Sequence, residues 1–146
     1  MFNNGRTMHS ARTRLLSKRA VRTKTETVDM TAGWLRLALK QAARSPCRYR
    51  VGAVLAKGRR VLAQSSNRYR NHPGVDFRNA TFHAEEMILR RARIPKGAIV
   101  YVARVNNAGV PMLARPCSRC QRALTSGGAK RVFYTTAAGP RLLVLG

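Results

Sequence analysis

The fold is decided by residues 99–135, which read IVYVARVNNAGVPMLARPCSRCQRALTSGGAKRVFYT. Residues 99–105 form a short apolar run rich in valine, which is typical of a buried strand, and residues 131–135 have the same character. Between them, residues 116–125 predict a short helix, because a proline stands near its start and two glycines follow its end. This order of strand, helix and strand indicates an α/β domain.

Short strands also surround this central stretch. Residues 49–56 (YRVGAVLA) and 60–65 (RVLAQS) are rich in Val and Leu and are separated by three residues that include Gly58, which predicts a β-hairpin. The turn sequence at residues 106–109 predicts that residues 110–114 return as a hairpin extension.

Apolar residues at helical spacing predict two further helices. The first is expected to begin at Thr31, whose hydroxyl suits an N-cap, and to end near Pro46. The second spans residues 83–93 and is stopped by Pro95. The polar residues 67–79 between the hairpin and this helix predict a long loop.

The order of these elements predicts a three-layer α/β/α domain with a mixed five-stranded sheet. The fifth strand is expected at residues 141–146, only a few residues after the strand at 131–135. A parallel crossover needs a dozen or more residues, so this short last strand is predicted to be antiparallel to its predecessor.

The length of 146 residues has room for one domain with one hydrophobic core. The apolar runs fall short of the roughly 18–20 residues that cross a bilayer, so no membrane span is expected. Residues 1–25 hold seven basic and no acidic residues, which predicts a flexible basic arm before a folded domain at residues 26–146. The composition of the arm also fits an organellar transit peptide.

The charge is strongly positive, because 29 Lys+Arg against 5 Asp+Glu give +24. Such a field attracts polyanions and anionic substrates, so nucleic acid on the basic surface and arm is one expected partner. A coding bias toward arginine is the alternative, since 23 of the basic residues are Arg. Three cysteines make no disulfide framework, which indicates a reducing compartment and a cytoplasmic location.

Two short motifs carry the chemistry, H-A-E at residues 83–85 and P-C-S-R-C at residues 116–120, each at a predicted helix start. Cys117 and Cys120 lie on one helical face, where two thiolates can hold one ion. With His83 they supply three zinc ligands and leave the fourth tetrahedral position open, as in catalytic zinc sites. A redox pair is the alternative for the two cysteines, and a core histidine is the alternative for His83. No spacing pairs the three proposed ligands with the remaining His and Cys residues, which are His9, Cys47 and His72.

A carboxylate follows the first motif. Zinc lowers the pKa of a bound water from about 15.7 toward about 7, and a neighbouring carboxylate can then carry the proton. Glu85 stands two residues beyond His83 at the helix entrance, so Glu85 is the candidate catalytic residue. The adjacent Glu86 is expected to be a surface or first-turn charge.

H-x-E followed by P-C-x-x-C resembles the signature of the zinc-dependent cytidine deaminase superfamily, over about residues 30–136. The resemblance implies a cytidine-deaminase-like fold, a zinc ion bound by His83, Cys117 and Cys120, and Glu85 as the proton shuttle. It also implies the residues that bind substrate. The main-chain N–H groups of Ala84 and Cys117 would lie near the reacting base. Val51 and Ala53 would line the base pocket, and Asn67 would contact the sugar.

The reaction implied by the resemblance is hydrolytic deamination of cytosine to uracil, most simply on a free nucleotide or nucleoside of the CMP or dCMP type. The charge and the basic arm keep two alternatives open. One is a base deaminase that acts on single-stranded DNA or RNA, and the other is a relative that binds nucleic acid without catalysis. A homo-oligomer is also implied by the resemblance alone.

Overall fold

The computed structural model describes residues 24–69 and 81–146. The arm predicted at residues 1–25 therefore lies outside the described residues, except for its last two positions. The helices are α1 (Lys24–Ala43), α2 (Ala84–Arg91) and α3 (Ser118–Ser126). The strands are β1 (Arg50–Lys57), β2 (Arg60–Ser66), β3 (Arg68–Tyr69), β4 (Thr81–Phe82), β5 (Ile99–Val105), β6 (Pro111–Met112), β7 (Arg131–Tyr134) and β8 (Arg141–Val144). Residues Gly33–Gly146 form one compact unit, and its boundary falls inside α1.

The main sheet has the strand order β2-β1-β5-β7-β8, with β6 paired to β5. β5 and β7 are parallel, and the other neighbouring strands are antiparallel. Because parallel strands need a crossover, α3 lies in the connection between β5 and β7. The mixed sheet and its antiparallel last strand are thereby confirmed. The predicted hairpin extension is β6, which adds a sixth strand to the five expected.

The three layers follow from the alternation of side chains along the strands. On one face of β1, Val54 packs in a buried cluster with Leu35 of α1. On the other face, Leu55 packs in a second cluster with Ile88 of α2 and Leu124 of α3. The sheet is therefore covered by α1 on one side and by α2 and α3 on the other, as the predicted α/β/α order requires.

Gly52 allows α1 to pack closely on β1. A Cβ at this position would collide with the main-chain carbonyl of Ala38 and the main-chain amide of Ala42. Both obstacles are backbone atoms of a helix, which cannot move aside without disturbing its hydrogen bonds. The lack of a side chain at Gly52 thus allows the short distance between the helix and the sheet.

Two features differ from prediction, namely the start of α1 and the pairing of β3 with β4. α1 begins at Lys24 and not at Thr31, because no proline or glycine interrupts residues 24–32 and Thr31 continues the helix. β3 and β4 pair as a separate two-stranded ribbon at either end of residues 70–80, where only a loop was expected. Strands of two residues are too short to show an alternating pattern in the sequence.

Among the described residues, no helix combines the length and apolar character that a membrane crossing needs.

Candidate metal centre and active site

The three predicted metal ligands lie at the starts of two helices. His83 is the N-cap of α2 and Cys117 is the N-cap of α3, and both have an extended backbone, with φ −69° and ψ 153° at His83 and φ −68° and ψ 167° at Cys117. Cys120 lies in the first turn of α3. A helix start presents unpaired N–H groups and the positive end of the helix dipole. Both sulfurs therefore lie where negative charge is stabilised.

The ligand atoms of these residues converge on one point. Nδ1 of His83 lies 3.2 Å from Sγ of Cys120 and 3.7 Å from Sγ of Cys117. All three ligand atoms lie within 4.8 Å of one another. Zn–N bonds of about 2.05 Å and Zn–S bonds of about 2.3 Å in a tetrahedron place nitrogen and sulfur about 3.6 Å apart. The spacing thus fits a zinc ion, and His83, Cys117 and Cys120 form a candidate metal site.

The chemistry of the donors fits a cation as well. Cys120 is fully buried. Burial is the largest cause that raises the pKa of the Cys120 thiol, and the nearby charges of Glu85 and Cys117 raise this pKa further. A buried thiolate beside further negative groups is unfavourable unless a positive ion offsets it. Two thiolates and an imidazole are the ligands that zinc prefers.

Glu85 lies beside this donor set and is only 4% exposed. Burial raises the pKa of Glu85 to about 7, against the opposing effects of a backbone hydrogen bond and of hydrogen bonding with Cys120. A carboxyl group with a pKa near neutrality can both accept and release a proton at physiological pH. The position predicted for the proton shuttle therefore has the environment that this role needs.

A cavity of about 480 Å³ opens onto these groups. Its wall includes His83, Glu85 and Cys117, together with Ala84 at the first position of α2. A volume of this size is within the range of small-molecule sites. Two of the three candidate metal ligands and the buried carboxyl group therefore face one space of small-molecule size.

Of the predicted substrate residues, Val51, Asn67 and Ala84 line the cavity. Ala53 does not belong to the cavity wall, since it is fully buried in the core cluster behind Val51 on the same face of β1.

The side chain of Asn67 is largely engaged within the protein. Its Oδ1 accepts from the Val51 amide at 3.0 Å and from the Ser45 hydroxyl, and its Nδ2 donates to the Tyr49 carbonyl at 2.7 Å. These bonds join the end of β2 to the chain that enters β1. Asn67 therefore shapes this wall of the cavity, with one remaining N–H on its amide nitrogen for a ligand.

Several cavity residues were not predicted. Arg48 and Tyr49, which precede β1, and Arg115, which precedes Pro116 and Cys117, line the same space, as does Tyr69 of β3. The sequence offers one signal for Arg115, namely its position next to a metal-ligand motif. Arg48 and Tyr49 have no such signal, because only the folded sheet brings the start of β1 next to the start of α2.

Glu86 was expected to be a surface or first-turn charge, and it lies in the first turn of α2, where it makes two specific contacts. Its Oε1 accepts a hydrogen bond from the main-chain amide of His83 at 2.9 Å. The same oxygen lies 2.9 Å from Nη2 of Arg119, the residue between Ser118 and Cys120. Glu86 thus links the start of α2 to the first turn of α3.

Comparison with known families agrees with this geometry. Residues 29–136 match the family model described as the cytidine and deoxycytidylate deaminase zinc-binding region. The match spans most of the chain and includes both motifs. No curated protein sequence matches the chain significantly.

Solved structures with the same fold include three deaminases. The dCMP deaminase of cyanophage S-TIM5 in apo form is similar over 73% of this chain and 82% of its own, with 21% identity and a TM-score of 0.57. The cytidine deaminase of Mycobacterium tuberculosis is similar over 75% and 87%, with 23% identity and a TM-score of 0.51. The cytidine deaminase of Burkholderia pseudomallei is similar over 77% and 91%, with 17% identity and a TM-score of 0.58. These structures share the fold, and the family match together with the His83, Cys117 and Cys120 cluster shows that the chain belongs to the cytidine and deoxycytidylate deaminase family.

Proposed function

We propose that this protein is a zinc-dependent hydrolase that converts the cytosine base of a free nucleotide or nucleoside to uracil. The observation that supports this proposal is the meeting of Glu85 with the cluster of His83, Cys117 and Cys120 at one cavity. A nucleophile source and a proton carrier at the same wall are the two parts that hydrolytic deamination needs.

The residues divide the work as follows. His83, Cys117 and Cys120 would hold a zinc ion, which would lower the pKa of a water molecule and so supply the nucleophile. Glu85 accepts a proton from the attacking water and delivers it to the ring nitrogen of cytosine. A second proton moves through Glu85 to the leaving amine, so that cytosine and water give uracil and ammonia. The main-chain N–H of Ala84, at a helix position without an intrahelical acceptor, would bind the base.

The cavity wall favours a phosphorylated substrate. Arg48 and Arg115 both line the space that Glu85 faces. Among the described side chains only Glu85 and Glu86 are acidic, and Glu86 pairs with Arg119. Among the described side chains, the two guanidinium groups of the wall therefore have no carboxylate partner of their own and suit the phosphate of a nucleotide. A nucleotide such as dCMP, the substrate named for the cyanophage relative, is the first candidate.

A second candidate substrate is single-stranded DNA or RNA. Tyr49 and Tyr69 line the cavity with 58% and 55% of their surface exposed. Exposed aromatic rings beside arginines are the usual platform for flanking bases in single-stranded nucleic acid. The net charge of +24 favours the same partner, either as a substrate or as a ligand bound without catalysis.

A substrate panel tests these alternatives. The zinc-loaded protein is incubated with dCMP, CMP, deoxycytidine, cytidine, a cytosine-containing single-stranded DNA and tRNA, and ammonia and uracil are measured. We expect the highest kcat/KM for a free nucleotide and a lower value for the nucleoside. Turnover restricted to the polymers would replace the first candidate with the second, and no turnover on any substrate would refute both catalytic assignments.

A further inference from the structure

The metal centre is assembled from two distant parts of the chain. His83 belongs to the start of α2, whereas Cys117 and Cys120 belong to the start of α3, and His83 and Cys117 are separated by 34 positions. No covalent link shorter than this segment fixes their spacing. A tetrahedral site tolerates displacements of only a few tenths of an ångström in its ligand distances. The starts of α2 and α3 must therefore be held at a fixed distance from each other.

One carboxylate oxygen provides such a link. Oε1 of Glu86 accepts the main-chain N–H of His83 and the guanidinium of Arg119, each at 2.9 Å. Arg119 lies between the two cysteine ligands in the sequence. The link therefore runs from the backbone of one metal ligand, through a single atom, to the helical turn that carries the other two.

The charges of Glu86 and Arg119 also favour this link. Glu86 and Arg119 carry opposite charges and form an ion pair at 2.9 Å. Arg119 thus both locates Glu86 and offsets its charge close to the two sulfurs.

We infer that Glu86 and Arg119 are positioning residues that hold His83 against Cys117 and Cys120 and so determine how tightly the centre retains zinc. This inference requires a zinc site of these three residues and does not depend on the identity of the substrate. The ion pair is partly exposed to solvent, with side-chain exposures of 49% for Arg119 and 23% for Glu86. Pairs with this exposure contribute little to global stability. Their effect is therefore expected in metal retention and not in the stability of the apo protein.

The test measures zinc retention in the full chain. Zinc transfer to a chromophoric chelator is followed for the wild type, Arg119→Gln, Glu86→Gln and the double variant, and urea unfolding of each apo protein is recorded. Loss of groups that orient metal ligands typically weakens metal binding about 10–100-fold, and we expect about a tenfold loss for each single variant because the pair is partly exposed. The double variant should lose no more than either single variant, since both remove the same link.

Two further variants separate positioning from a general structural role. Arg119→Lys keeps the charge and should recover part of the lost affinity. Arg122→Gln changes an exposed arginine of the same helix outside the link and should retain zinc like the wild type. Unchanged zinc retention in Arg119→Gln, additive losses in the double variant, or an equal loss in Arg122→Gln would each overturn the inference. So would a fall in apo stability large enough to account for the lost affinity. Because the readout is zinc and not turnover, a failed substrate assignment leaves this result unaffected.

Discussion

Removal of Arg48 and Arg115 should reduce activity on nucleotides and spare activity on nucleosides. Both side chains line the cavity but are exposed to solvent. A hydrogen bond to a charged group contributes about 1.5–3 kcal/mol when well shielded, and exposure places each arginine at or below the lower end of that range. Since about 1.4 kcal/mol corresponds to a factor of ten, each Arg→Ala change should lower kcat/KM for dCMP by about tenfold. Because both guanidinium groups would bind the same phosphate, the double variant should lose more than about tenfold and at most about a hundredfold.

The assay compares dCMP with deoxycytidine in parallel by ammonia release. A ratio of the two kcat/KM values cancels any loss of folded or zinc-loaded protein, because that loss affects both substrates equally. Arg122→Ala, on the exposed side of α3, serves as the matched control for the removal of one positive charge and should leave the ratio unchanged. If Arg48→Ala and Arg115→Ala reduce both substrates by the same factor, the two arginines do not recognise phosphate and the reasoning fails.

Three other changes test the centre and the fold. Glu85→Ala should lower turnover by at least about a thousandfold while about one zinc per chain remains bound, because the carboxyl group moves protons but is not a ligand; a rate near that of the wild type would exclude the assigned role. Cys120→Ser should abolish stoichiometric zinc binding, so zinc should no longer raise the melting temperature of the variant. Saturating zinc should stabilise the wild type by about 3 kcal/mol. Retention of zinc by the variant would contradict the ligand set. Gly52→Ala should destabilise the protein by about 2 kcal/mol or more in urea unfolding, because the new methyl group meets the backbone of α1. Gly33→Ala, where a Cβ meets nothing within 4 Å, should instead raise stability slightly, and equal effects of the two changes would refute the packing argument.

Local patterns predicted the elements of the fold well. The predicted strand at residues 99–105 matches β5, and the hairpin of β1 and β2 was predicted to within a residue or two. The short connection before β8 correctly predicted an antiparallel strand. These features depend on spacing along the chain, which is visible in the sequence.

The candidate metal ligands could be chosen from the sequence for a different reason. A histidine and a pair of cysteines at helix starts have few roles other than metal binding or redox chemistry, so residue type restricts the chemistry. The contacts of Glu86 with Arg119 and the placement of Arg48 beside Glu85 were not predictable. They depend on how α2, α3 and the start of β1 pack against one another, and no local pattern reports the distance between elements that are far apart in the sequence.

The positions of His83 and Glu85 on α2 bear on how the substrate preference of the protein could change. His83 and Glu85 lie two residues apart at the start of one helix, so a rigid-body movement of that helix leaves the distance between their backbones unchanged. Arg48, Tyr49 and Arg115 stand on connecting segments, where substitutions disturb few backbone hydrogen bonds. Substrate preference is therefore most easily altered by substitutions on the connecting segments that carry Arg48, Tyr49 and Arg115. Such substitutions leave the spacing of His83 and Glu85 along α2 unchanged.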